Sequence, residues 1–382
     1  MTEHSTADKE RELVAWAAEL GAAIGVHSAR HDDDGTFVTE AYELLKSSGY
    51  LALAVPEELG GRGATIRQVA MAQRELARSC ASTALASTMH HHVVLFTAWR
   101  MRRGLPGAEA TLKRVANDGI VLVSTGGADQ TRPRGDAKRV DGGYLVNGRK
   151  IFASQAPAGT VLSTMFAFDD PTDGRIVLNM AVPMASEGVA IDHNWDALGM
   201  RGTGSHDVLL TDVFVSDAQV LARRPYGKVD GPLQVILSIA MPPIAAVYLG
   251  IAEMARDHAL QAVLSSGRAD DTAVQRQVGL MQNRLMIAGW ALDGALEAVG
   301  EDPEPCMATV AQVMAAKREI ALASIEACDM AMDLAGGSAF YRSSPISRCY
   351  RDVRGIKLHP FTPEETLVHA GRLALGRPAD ER

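Results

Sequence analysis

The sequence predicts an α+β chain built from three successive units: a helical N-terminal domain, a middle antiparallel β-domain and a C-terminal helical bundle. Three observations carry this. Apolar residues recur at helical spacing through the first third of the 382 residues. Near Gly119 the pattern changes to short apolar runs separated by Gly, Asn, Asp or Pro, as in strands joined by turns. Beyond Leu221 the helical period returns. The expected units are residues 1–118, 119–222 and 223–382, and a chain of this length can bury a large core.

The elements follow in order. In residues 10–24, Leu13, Trp16, Ala17, Leu20 and Ile24 fall on one helical face. Residues 37–48 form a second helix, ended by Gly49. Pro56 and the Gly60-Gly61 pair make residues 51–66 a loop. Two helices follow, over 65–80 and 82–99. Strand candidates lie at 120–124, 144–146, 150–153, 161–168 and 176–182. A further strand carries Val208, Leu210, Val213 and Val215. In residues 313–335, Met314, Ala321, Ile325, Cys328, Met332 and Ala335 share one stripe, and Gly336-Gly337 ends that helix. Residues 233–252 are uncharged and long enough to span a bilayer. They read instead as a buried bundle helix, broken or restarted at Pro242-Pro243.

Composition narrows the partners. A formal charge of −8 disfavours nucleic acid and anionic membranes. Cys80, Cys306, Cys328 and Cys349 form no CxxC pair and no metal-ligand spacing, so no metal site is expected and a reducing, cytoplasmic setting fits. The first twenty residues are charged and lack the apolar core of a signal peptide.

One motif is richer than the rest. In WDALGMRGTGSHDVLLTDVFV (residues 195–215) Gly199, Gly202 and Gly204 allow sharp turns and close approach to a ligand before a strand. It resembles the signature near the end of the middle domain in the acyl-CoA dehydrogenase superfamily. GYLALAVPEELGG and ARSCASTALA resemble the N-terminal domain of that family, whose loop and helices line the acyl pocket. The resemblance runs from about Gly49 to the C-terminus and implies that the C-terminal unit is a four-helix bundle and that the cofactor is a flavin, FAD, with FMN as the other form.

Site residues carried by the resemblance are as follows. NGRKIFASQA resembles the strand behind the flavin ring; Phe152 and Ser154 stand where dehydrogenases carry Trp and Thr, and the Ser154 hydroxyl would meet flavin N5 or O4. VSTGGADQ resembles a flavin-edge loop without its usual Glu-Pro. There Ser124, Thr125, Gly126 and Gly127 would offer N–H groups and a hydroxyl. LAGGSAFY resembles the segment that reaches a neighbouring subunit's cofactor, with Asp333 in place of a common Gln and Gly336 and Gly337 permitting close approach. A homo-oligomer, a tetramer in this family, is implied. The Arg-x-x-Phe-Gly signal for the adenine half of FAD is missing near residues 265–272.

The residues expected at the catalytic centre point away from dehydrogenation. That reaction needs a carboxylate, usually a Glu several residues after an Arg-Asp pair, tuned by burial. Here Arg351-Asp352 is followed by VRGIKLHPFTPEET, with Pro360 or Thr362 in the Glu position. In the alternative position, on an earlier helix, stands Ile239. Glu364 and Glu365 suit a helix N-terminus. His359 resembles the His of flavin monooxygenases on this fold, which include dibenzothiophene monooxygenases and the oxygenase component of p-hydroxyphenylacetate hydroxylases. In those enzymes reduced flavin from a separate reductase reacts with O2 at C4a, beside a hydroxyl and a His. Ser154 and His359 match those roles. His90 or His92 would add a pocket imidazole, since three consecutive helical His cannot converge on one ion. The expectation is a monooxygenase or oxidase acting on a small organic or acyl substrate. An acyl-CoA dehydrogenase with a relocated base, taking an acyl thioester and passing electrons to an electron-transfer protein, is the first alternative. A non-catalytic flavin-fold subunit is the second.

Overall fold

The computed structural model describes residues 6–127 and 129–380. The N-terminal helices are α1 (Thr6–Gly25), α2 (Ser28–Asp34), α3 (Thr39–Ser47), α4 (Ile66–Ala77), α5 (Ala81–Arg102) and α6 (Ala108–Asp118). On α1, Leu13, Ala17, Leu20 and Ile24 are buried, as their spacing predicts. Thr65 accepts from Gln68 N–H while the Gln68 side chain accepts from Thr65 N–H, a capping box that fixes the start of α4. Helices α2 and α6 lie outside the sequence expectation. The seven residues of α2 are too few for a helical period to stand out. In α6 only Ala108, Leu112 and Val115 turn inward.

The sheet holds β1 (Leu122–Ser124), β2 (Asp136–Val140), β3 (Gly143–Lys150), β4 (Val161–Asp170), β5 (Gly174–Pro183), β6 (Val189–Asp192), β7 (Asp207–Ser216) and β8 (Val220–Pro225). Its order is β6-β7-β3-β2-β4-β5-β8, with β1 beside β4. Most pairs are antiparallel, but β1 and β2 both run parallel to β4, so the sheet is mixed rather than purely antiparallel. Alternate residues Leu162, Phe166, Leu178, Met180, Val213 and Val215 bury one face. The helical return expected from Leu221 comes later, because β8 pairs with β5 through Pro225. Of the candidate strand at 150–153 only Lys150 lies in a strand. Phe152 and Gln155 then adopt positive φ (54° and 62°), which no extended strand accommodates.

The C-terminal region consists of α7 (Gly231–Ser265), α8 (Thr272–Val299), α9 (Met307–Ala335), α10 (Pro345–Asp352) and α11 (Pro363–Ala374). Helix α9 packs against both α7 and α8, the short α10 packs against α7 and α9, and α11 packs against α9. Pro242 and Pro243 do not break α7, which runs through both. A proline inside a helix costs about 3 kcal/mol. Burial of Leu237, Ile239, Ile244, Val247, Leu249 and Ile251 around the pair outweighs that cost. Among the described residues α7 is also the one helix long and apolar enough to cross a membrane, and 94% of its apolar window is buried inside the protein.

Candidate active site

A cavity of about 560 Å³ lies where α5, α7, the sheet edge and the segment after α10 converge. Leu85, Met89 and Phe96 of α5 and Leu237, Met241 and Ile244 of α7 give it apolar walls. Ser124, Thr125, Gly126, Gly127, Phe152, Ser154, His92 and His359 all line it. Segments far apart in sequence are thus brought to one space.

The sheet side is built by two loops. After β1, Gly126 takes a φ of +94°, and an added Cβ there would stand 2.7 Å from Met165 Cε. The N–H groups of Gly126 and Gly127 have no acceptor among the described residues. Thr125 Oγ1 donates to Thr164 Oγ1 at 2.8 Å. Opposite, Phe152 is 47% exposed and meets Trp195 edge-on. A large ring left bare on a cavity wall offers a face for a planar ligand.

Ser154 is oriented by a chain of hydroxyls. Thr203 Oγ1 donates to the Met200 carbonyl at 2.9 Å. Ser205 Oγ stands 2.6 Å from Thr203 Oγ1 and 2.8 Å from Ser154 Oγ. Each hydroxyl has one proton, so Ser205 must donate to Thr203 and Ser154 to Ser205. The Ser154 oxygen then presents lone pairs to the cavity and suits an N–H donor.

The three consecutive histidines serve different ends. His92 Nδ1 donates to the Thr88 carbonyl at 3.1 Å, which leaves Nε2 as an acceptor on the cavity side. Burial holds its pKa down to about 4, so the ring is neutral at neutral pH. His90 is not a cavity residue, which corrects the expectation. Its Nδ1 accepts from Leu122 N–H at 3.0 Å and its Nε2 donates to the Leu51 carbonyl at 2.9 Å. With both nitrogens engaged it ties α5 to β1 and to the loop before α4. His91 is fully buried against Tyr50, with neither ring nitrogen bonded.

His359 faces the cavity from the other side. Its Nε2 is 2.9 Å from the Tyr248 hydroxyl of α7. Lys317 Nζ donates to its carbonyl at 2.6 Å and fixes its backbone. Burial first, then Lys317 and His92, press its pKa down to about 3. Tyr248 gave no sequence signal, because it sits in an apolar run that reads as core. Gly355 makes room for it: an added Cβ would stand 2.8 Å from the Tyr248 hydroxyl.

Carboxylates are nearly missing from this space. Glu364 and Glu365 lie in the exposed first turn of α11, where Glu365 closes a capping box with Thr362. Asp352 is buried outside the cavity, its pKa raised to about 6 by burial, and accepts from Met200 N–H at 2.5 Å. Arg351 grips Asp32 of α2 at 2.8 and 2.5 Å. The Arg-Asp pair therefore anchors the 198–200 loop and α2. Among the described residues Asp129 is the cavity's one lining carboxylate, and its Oδ2 is taken by Arg134 N–H at 2.6 Å. Asp333, Gly336 and Gly337 do not reach the cavity of their own chain; they are exposed at and just beyond the end of α9.

These features fit a flavin: an apolar cavity, unpaired N–H groups, a bare aromatic ring and an oriented hydroxyl. Comparison with known proteins agrees. The acyl-CoA dehydrogenase N-terminal domain family matches residues 7–101, the middle domain family 124–213 and the C-terminal domain family 243–364. L-evernosamine nitrososynthase of Micromonospora is 31% identical over 97% of this chain and 91% of its own. YdbM of Bacillus subtilis, described only provisionally as an acyl-CoA dehydrogenase, is 29% identical over 95% of this chain and 96% of its own. Among solved structures, KijD3 in complex with FMN and a dTDP-linked amino-keto sugar superposes with a TM-score of 0.89. It is 26% identical, covering 98% of this chain and 95% of that one.

Proposed function

The chain belongs to the acyl-CoA dehydrogenase family, and from that premise we propose that it is a flavin-dependent monooxygenase. One observation carries the reading: two neutral imidazoles, His92 and His359, line the cavity, and the one lining carboxylate among the described residues, Asp129, is taken up by Arg134 N–H. FMN is the favoured cofactor, because the Arg-x-x-Phe-Gly signal for the adenine half of FAD does not occur near residues 265–272 and KijD3 was solved in complex with FMN. When bound in reduced form, the flavin supplies two electrons, so that one atom of O2 enters the substrate and the other leaves as water.

The chain's own groups prepare that chemistry. Gly126 and Gly127 would hold a bound flavin through their open N–H groups, and Phe152 would give it a flat apolar partner. Ser154, whose oxygen is left as an acceptor, would suit the N–H that only reduced flavin carries. His92 Nε2 is placed to take a proton from a substrate in the cavity, and Tyr248 fixes the ring of His359 on the cavity wall. The apolar walls keep water out. The substrate is a small molecule, and a separate reductase provides reduced flavin. Four unpaired thiols, three of them buried, fit work in the cytoplasm.

The test is the source of electrons. Flavin-loaded protein mixed anaerobically with acyl-CoA thioesters of several chain lengths keeps its yellow colour, whereas reductase-supplied FMNH2 drives oxygen consumption and substrate oxygenation. His359→Ala lowers oxygenation by about 10²–10⁴, and Glu364→Ala and Glu365→Ala change it little. Bleaching by a thioester that vanishes in a Glu variant would establish the dehydrogenase instead.

A further inference from the structure

Four arginines line the cavity: Arg100, Arg224, Arg351 and Arg354. Three are neutralised. Arg224 pairs with Asp230 at 2.9 Å, Arg351 with Asp32, and Arg354 with Asp329 at 2.6 Å. Arg100 has no carboxylate partner among the described residues, although it is only 7% exposed. Its neighbours in the chain point elsewhere: Arg102 and Arg103 leave the helix end toward Asp302 at 2.8 and 2.9 Å. Burial pulls the Arg100 pKa down and no acid pulls it back.

A buried cation without a counter-charge is costly unless something else supplies the charge. The protein supplies part. Nη2 donates to the Pro106 carbonyl at 3.2 Å and to the Leu221 carbonyl at 3.4 Å, and the C-terminal end of α5 is favourable for a cation. Nε and Nη1 have no acceptor among the described residues. A guanidinium tied at Nη2 keeps one N–H at Nε and two at Nη1, and each of these can donate a charge-assisted hydrogen bond to an oxyanion. Beside it the wall is aromatic and aliphatic: Phe96 stacks on Trp99 at 5.4 Å, and Leu105 and Leu221 complete the surface.

We infer that Arg100 is the specificity residue for the substrate, which carries an oxyanion, a carboxylate or a phosphate, on an apolar body. This rests on the monooxygenase reading only in calling the ligand a substrate. Two sources of oxyanion remain to be separated, the substrate and the phosphate of FMN, and the geometry points to the substrate because the guanidinium, tied to the Leu221 carbonyl, sits among the apolar lining residues Phe96, Trp99, Leu105 and Leu221.

The test is binding, without turnover. FMN-loaded protein is titrated with benzoate, phenyl phosphate and, as the uncharged counterpart, benzyl alcohol, in low salt by calorimetry. At least one anion binds about tenfold or more tighter than the alcohol. In Arg100→Gln that preference disappears, in Arg100→Lys part of it returns, and the affinities for FMN and riboflavin are unchanged. Equal binding of anions and alcohol by the wild-type protein overturns the assignment without recourse to any variant. Loss of FMN but not riboflavin in Arg100→Gln assigns the guanidinium to the cofactor phosphate and overturns it too. The same titration on flavin-free protein separates the two readings. Anion preference there, in a protein that takes up no flavin at any concentration, would remove the monooxygenase and leave the oxyanion site standing.

Discussion

A single carbonyl, that of Met200, sets the direction of the Ser154 hydroxyl. Because Thr203 has its proton committed to that oxygen, polarity passes through Ser205 to Ser154, and the site is biased toward a ligand that donates. Removing the terminal hydroxyl and removing its support therefore have related effects. When FMNH2-loaded protein meets O2 without substrate, Ser154→Ala releases hydrogen peroxide faster, by the equivalent of about 1–3 kcal/mol for one lost hydrogen bond. Ser205→Ala frees the Ser154 proton to rotate and gives a smaller rise, while Thr203→Ser, which keeps the donor, behaves like wild type. A coupled peroxide assay in a stopped-flow instrument reads all three, and a Ser205→Ala rate equal to wild type removes the hydroxyl chain from the account. The sequence displays Ser154 and His359 as candidates because the motifs around them resemble those of flavin enzymes, and His92 because it stands on a helix expected to line the pocket. It cannot display the chain behind Ser154, whose members are 49 to 51 residues away from it and meet it only in the fold. His90 is misread for a related reason: helical spacing gives a direction, and the acceptor and donor that claim it belong to Leu51 and Leu122.

Helix α5 shows how an element carries both site and core. Its three consecutive imidazoles, with His359 opposite, are all held neutral: His90 and His92 have pKa values lowered to about 4, His359 to about 3, and His91 well below the usual range, each by burial. A lowered histidine pKa favours the fold above the unfolded value of about 6.5 and forfeits that advantage as pH falls toward the folded value. Asp352, raised to about 6, works in the opposite sense between about pH 6 and 4. Four groups outweigh one, so stability falls on acidification from about pH 6.5 to 4, at about 1.4 kcal/mol per pH unit for each net proton. Calorimetric melts at pH 7 and 5 should show a lower Tm at pH 5 and an uptake of about two to three protons on unfolding; a Tm that holds or rises contradicts the neutral cluster. At this scale the sequence is legible where a period is long enough to stand out, as in α1 and α9. Short α2 escapes it. The prolines of α7 mislead it, because local propensity yields to a helix buried almost all round.

The three-unit plan of the whole molecule is legible from two changes of period along the chain, and the limits of the sheet are not, since β8 reads as the approach to a helix until its pairing with β5 is seen. The bundle leaves one apolar face uncovered. The inner side of α8 buries Met281, Leu285, Ala288, Leu292 and Ala295, yet its outer side exposes Leu280, Met286, Ile287 and Trp290, with Trp290 63% exposed. Beyond α9, Phe340 and Tyr341 are 82% and 71% exposed beside Gly336-Gly337. Exposed apolar side chains gathered at helical spacing suit a contact between copies of the chain. The glycine pair, remote from its own cavity, suits a role at a neighbour's flavin. Association and cofactor binding should therefore fail together. Wild-type protein sediments as a homotetramer at micromolar concentration, and the double variant Ile287→Lys, Trp290→Glu dissociates to smaller species with its helical circular dichroism intact. Its affinity for FMN falls by an order of magnitude or more, because a shared site worth about 1.4 kcal/mol in contacts accounts for a tenfold change. A wild-type monomer that holds FMN tightly, or a dissociated variant with unchanged FMN affinity, would confine the flavin site to one chain and leave the α8 face without this function.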